Sequence, residues 1–87
     1  MLFAVVIMKL SQMKIGTKVK VTALLKSQYL TQSMKRNLLS LGFTPETIVK
    51  IIRKEPFGAT LELFIRGSQL CVSQEIASSI EAEYCYE

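Results

Sequence analysis

Alternation of apolar and polar residues recurs along this chain and gives way to a clear helical period between the first two strands. In "GTKVKVTAL" (residues 16–24), Val19, Val21 and Ala23 fall on one side of an extended backbone and Lys18, Lys20 and Thr22 on the other. That is the pattern of a half-buried strand. "TIVKIIRK" (residues 47–54) repeats it, with Val49 and Ile51 inward and Lys50, Ile52 and Lys54 outward. "TLELFIRG" (residues 60–67) turns Leu61, Leu63 and Ile65 inward and Glu62 and Phe64 outward. "QLCV" adds a short strand with Leu70 and Val72 inward, and "SIEAEYCY" (residues 79–86) closes with Ile80, Ala82 and Tyr84 on one face. Between the first two strands the period changes. Met34, Leu38 and Leu41 recur at helical spacing, opposite Lys35, Arg36 and Asn37, which predicts a short amphipathic helix from Gln32 to Ser40 or Leu41. "SQYLTQS" (residues 27–33) reads as the polar connection leading into it.

The punctuation agrees with these periods. Gly42 stands where a helix needs a residue of positive φ just past its end, and Pro45 prevents continuation. In "EPFGA" (residues 55–59), Pro56 fixes φ and Gly58 supplies a permissive backbone, so a turn is expected there. Arg66, Gly67 and Ser68 read as a tight hairpin turn. Ser73 is placed to cap a single helical turn, "SQEIAS". About five short strands with one short helix inserted between the first and second predict a mainly β fold, a small antiparallel β-barrel.

With 87 residues there is room for one small core, which hides only about 60–65% of the unfolded chain's surface. The apolar run at residues 2–8 falls far short of a membrane span. It lacks the basic start and small-residue cleavage site of a signal peptide. Two cysteines without secretory features point to reduced thiols and a cytoplasmic protein. Charge is unevenly distributed. Residues 1–54 hold all but one of the 11 Lys and Arg, yet only Glu46 of the 7 acidic residues. Such a split can mark a face for an acidic partner, although interleaved strands can equally mix the two halves on one surface.

Candidate chemistry is sparse. There is no His, which removes the commonest general base and the commonest ligand for zinc, copper and iron. Ser11, Ser40, Ser68 and Ser73 have no such base to activate them, and the four Gly are scattered and form no phosphate loop. Cys71 and Cys85 lie in separate strands with no C-x-x-C. Glu81, Glu83 and Glu87 alternate on one strand face, where spacing of roughly 7 Å does not preorganise one ion. The expectation is a non-enzyme with no cofactor and no metal site. Nucleic-acid binding is the alternative from another class: a small barrel using Lys18, Lys20, Lys50, Arg53 and Lys54 with Tyr29, Phe57 or Phe64.

Five short motifs in order, "GTKVKV" (16–21), "NLLSLGFTP" (37–45), "EPFGA" (55–59), "RGSQLCV" (66–72) and "IEAE" (80–83), resemble the FeoA family of bacterial ferrous iron transport. The resemblance runs from Met8 to about Glu83. Residues 1–7 lie outside it and are expected to be an N-terminal extension to a domain spanning residues 8–87. Glu46 stands where the family usually has Gly, Ala59 and Thr60 replace Asp-Pro, and Ser73 replaces Arg; these departures put the sharpness of the corresponding turns in question. Cys71 occupies a position where the family favours a small residue, which implies a small core filler. The resemblance implies an SH3-like barrel without catalytic activity. It also implies a partner, a FeoB-type membrane transporter with a cytosolic GTP-binding domain, beside which the chain has a supporting role. The chain is expected to be a monomer with room for weak self-association and not itself membrane-embedded. A protein partner is expected, and no nucleic acid. The candidate docking residues are Lys35, Arg36, Phe57, Gly58 and Phe64, displayed by the fixed turns at Gly42, Pro45, Pro56 and Gly67. Phe43, next to the helix stop, is expected to cover one end of the barrel.

Overall fold

The computed structural model describes residues 6–55, 57 and 59–85. Six antiparallel strands form one sheet: β1 (Met8–Lys9), β2 (Lys18–Leu24), β3 (Ile48–Lys54), β4 (Thr60–Ile65), β5 (Ser68–Ser73) and β6 (Ile80–Tyr84), in the order β1-β6-β2-β3-β4-β5. Helix α1 (Gln32–Ser40) separates β2 from β3, and α2 (Gln74–Ala77) separates β5 from β6. The sixth strand, absent from the sequence reading, is the two-residue β1, too short to show any alternation. The sheet curls around the core without closing, which leaves β1 and β5 as its edges. A 3₁₀ turn, Leu10–Gln12, packs against β6 and α2, and α2 packs in turn against β4 and β5. These two pieces cover the gap that strand pairing leaves open.

The inward phase of the strands is as the alternation demands. Val19, Val21, Val49, Ile51, Leu61, Leu63, Ile80 and Ala82 are wholly buried, and Ile65 and Val72 nearly so. Two bulges break the ladder, between Val21 and Ala23 and between Ile51 and Arg53. Each adds an unpaired residue and shifts the phase beyond it. Ala23 is therefore half-exposed and Leu24 points inward, a correction to the uniform alternation expected over residues 16–24. Beyond the second bulge Lys54 is half-buried, and its Nζ donates to the carbonyl of Ser11 at 3.0 Å.

Helix α1 begins at Thr31, whose Oγ1 accepts from the N–H of Met34 at 3.3 Å. It ends in a Schellman motif. The N–H of Phe43 donates to Leu38 O at 3.0 Å and that of Gly42 to Leu39 O at 3.1 Å, with Gly42 at φ 105°. Phe43 and Leu38 supply the accompanying apolar contact points, both buried. Leu38 is the one buried residue of the helix, whereas Met34 and Leu41 are exposed. The three-residue apolar stripe read from the sequence is thus a single anchor. Leu30 supplies what that stripe does not: it is fully buried, and Ser27 Oγ, bonded to Ser79 Oγ at 2.6 Å, also accepts its N–H at 3.0 Å. The polar connection therefore carries part of the core.

The remaining turns follow their residues. Ile65 and Ser68 pair directly, and the two residues between them, Arg66 (φ 49°) and Gly67 (φ 81°), both have positive φ, as a type I′ hairpin requires. Ser73 caps α2, its Oγ accepting from the N–H of Ile76 at 3.0 Å. Glu46 takes φ 74°, so the chain keeps a left-handed turn although it lacks the expected Gly. Its N–H donates to Val21 O at 2.7 Å while Val21 N–H donates to Thr47 O at 2.9 Å, and this pair of bonds to the bulged strand holds the strained residue in place. Pro56 and Gly58, expected as turn residues, and residues 1–5 of the expected N-terminal extension lie outside the described residues.

Candidate protein-docking surface

The outer face of the sheet is built by the residues that alternation turns away from the core. Register places Lys18 of β2 opposite Lys50 of β3, and Lys50 opposite Phe64 of β4. Ile48 and Ile52 flank Lys50 along β3, and both remain exposed. With Arg66 from the hairpin they line an open groove of about 690 Å³, and among the described residues no acidic side chain lines it. The position of Arg66 is tied to the helix stop: a Cβ placed on Gly42 would come within 2.8 Å of Arg66 Cδ and 3.0 Å of its Nε. The arginine stem therefore lies over the bare Cα of Gly42.

Opposite charges meet elsewhere on this face. Lys20 Nζ sits 3.3 Å from Glu83 Oε1 across the β2–β6 pair. Arg53 holds Glu62 through Nε and a terminal nitrogen, each at 2.8 Å from Oε2, and the Gln69 amide donates to the other oxygen of the same carboxylate. The basic first half and acidic second half of the chain are thus interleaved by strand pairing. Of the five cations named for a nucleic-acid face, Lys20 and Arg53 have acidic partners and Lys54 has a carbonyl. Lys18, Lys50 and Arg66 have no ion pair among the described residues.

The docking residues expected from the sequence are distributed over this surface. Phe64 is 44% exposed and lines the groove, whereas Phe57 is 106% exposed with φ 71° and projects from the turn between β3 and β4. Arg36 lines a separate shallow groove along α1 with Ser33, Met34, Asn37 and Ser40; Lys35 is half-buried. Phe64 and Arg36 therefore belong to different concavities, and Gly58 lies outside the described residues. Gly42 and Gly67 take the positive φ that their turns need, and Pro45 lies exposed after the helix stop. Phe43 is wholly buried. The groove residues Lys18, Ile48, Lys50, Ile52 and Arg66 are missing from the docking set expected from the sequence, although Lys18 and Lys50 belong to the nucleic-acid alternative. Alternation shows that three of them face outward, but only register shows which ones meet.

Cys71 is exposed and unbridged on β5, which corrects its expected role as core filler; Cys85 is half-buried and also free. The inward positions of β5 are Leu70 and Val72, and Cys71 between them must face outward. Among the described residues no group of three Cys, Asp or Glu side chains is gathered closely enough to hold a metal ion. Nor, among them, is any helix long and apolar enough to cross a membrane.

Comparison with known proteins places this architecture. The solution structure of the FeoA protein from Chlorobium tepidum superposes with a TM-score of 0.81 at 26% identity, over 91% of this chain and 71% of that one. The FeoA-like protein from Clostridium acetobutylicum gives 0.77 at 26% identity, over 93% and 90%. A manganese-dependent transcriptional repressor gives 0.80 at 13% identity, with this chain matching 44% of its length; at that identity the likeness is one of fold, an SH3-like β architecture. No curated protein sequence matches significantly. The FeoA domain model matches residues 8–84, and the chain belongs to the FeoA domain family, a membership that implies involvement in ferrous iron transport.

Proposed function

We propose that this protein is a non-catalytic, cytoplasmic accessory of ferrous iron uptake that docks on the cytosolic GTP-binding domain of a FeoB-type transporter. Family membership over residues 8–84 supports the iron-transport setting. The observation that carries the docking reading is Phe57, a ring left entirely in solvent at the tip of a turn. An exposed aromatic of this kind is a common anchor of protein interfaces. The proposed docking residues are Lys35, Arg36, Phe57, Gly58 and Phe64, of which Arg36 and Phe64 line separate concavities. The purified chain is expected to bind the isolated GTP-binding domain saturably in calorimetry. Phe57→Ala and the double change Lys35→Glu/Arg36→Glu are each expected to weaken that binding while leaving the melting curve unchanged. Wild-type affinity in both folded variants overturns this assignment of the surface. The protein alone is expected neither to hydrolyse GTP nor to carry iron through gel filtration, since its side chains supply no histidine base or ligand.

A further inference from the structure

We propose that the groove on the outer sheet face, lined by Lys18, Ile48, Lys50, Ile52, Phe64 and Arg66, seats a peptide segment of a protein partner in which acidic residues flank apolar ones. The proposal rests on the reading that this protein works by docking, and it names the chemistry of the docked segment. Three large apolar side chains, Ile48, Ile52 and Phe64, stay 46%, 36% and 44% exposed within this one concavity. Grouped exposed apolar side chains mark contact surfaces more often than scattered ones do. The charge around them has one sign. Lys18 and Lys50 are direct cross-strand partners, an arrangement that destabilises a sheet. Neither they nor Arg66 has an ion pair among the described residues, although the neighbouring Lys20 and Arg53 do. Carboxylates on the occupant relieve that repulsion, and apolar side chains between them cover the isoleucines and the ring. Nucleic acid fits less well. Its bases need aromatic platforms, and the groove offers one ring among aliphatic side chains.

The test titrates the isotope-labelled full chain with a synthetic peptide in which Glu alternates with Leu around one Phe. Parallel titrations use the same peptide with Lys for Glu, and oligouridylate. The acidic peptide is expected to shift the amide resonances of Lys18, Lys50, Phe64 and Arg66. Lys50→Glu is expected to weaken it roughly tenfold or more, and Lys50→Arg to preserve it. No shifts with the acidic peptide, shifts confined to α1 or Phe57, or oligouridylate binding at least as tightly each overturn the proposal. So does a concentration-dependent rise in mass that Lys50→Glu abolishes, which would make a second copy of the chain the occupant. Peptide binding in the groove without any binding to the transporter's GTP-binding domain overturns the assigned partner and leaves the groove standing. Binding to that domain undiminished by Lys50→Glu, with no peptide shifts, does the reverse.

Discussion

Individual residues carry the local constraints most sharply at Gly42, Glu46 and Thr22. At φ 105° Gly42 has a backbone that β-branched residues do not readily adopt, and Arg66 occupies the space a Cβ needs. The arginine stem can move aside, so the backbone sets the cost. Gly42→Val is expected to destabilise the fold by about 1 kcal/mol or more in denaturant melts, and an unchanged midpoint would remove the Schellman assignment. Glu46 presents the opposite case: a side chain where Gly would fit better. Glu46→Gly is expected to raise stability by up to about 1 kcal/mol, the relief of left-handed strain exceeding glycine's entropy loss. Thr22 lies at the β2 bulge, with its Oγ1 buried and unpartnered among the described residues. Thr22→Val removes a polar group that has no bond to lose, so the expected result is a higher melting temperature.

Elements differ in how firmly they are tied down, and this also explains how much of the fold the sequence revealed. Strand positions such as Val49, Leu61 and Leu63 were legible because a residue-by-residue period of two leaves only two phases. The bulges at Val21/Ala23 and Ile51/Arg53 were not, because an inserted residue has no composition of its own and is detected only through its partner strand. The Lys18–Lys50 opposition was hidden for the same reason, and with it the groove. Helix α1 was legible in its period and, through Gly42, at its end, but not in its packing. Met34 and Leu41 fit the period and remain exposed, since the helix meets the core through Leu38 and the partly buried Leu39, with the adjoining Leu30 and Phe43. Two consequences follow for α1. Leu38→Ala is expected to cost about 2–3 kcal/mol. Amide exchange in α1 is expected to be faster than in β2, β3 and β4, as in segments with few buried contacts; equal protection would show that helix and sheet open together.

At the scale of the whole molecule, one curled sheet surrounds seventeen buried apolar side chains among the described residues, covered at the gap by a 3₁₀ turn and a four-residue helix. With so small a core, a buried charge has no compensating volume. Val49→Asp and Leu63→Asp are each expected to abolish the cooperative thermal transition; wild-type melting in either would mean that the strand is turned over. The pair Lys18 and Lys50 has the converse effect at this scale. Their repulsion exists in the folded sheet, where register sets them side by side, and fades when the chain unfolds and they separate. An occupant that neutralises the pair binds the native state alone, so it shifts the unfolding equilibrium by mass action, by about 2.7 kcal/mol at a hundredfold excess over its dissociation constant. For a domain near this size that amounts to a rise in melting temperature of roughly 10–20 °C. The protein is thus its own reporter, and a thermal-shift screen over unlabelled candidate segments would pick out its ligand without any assay of transport.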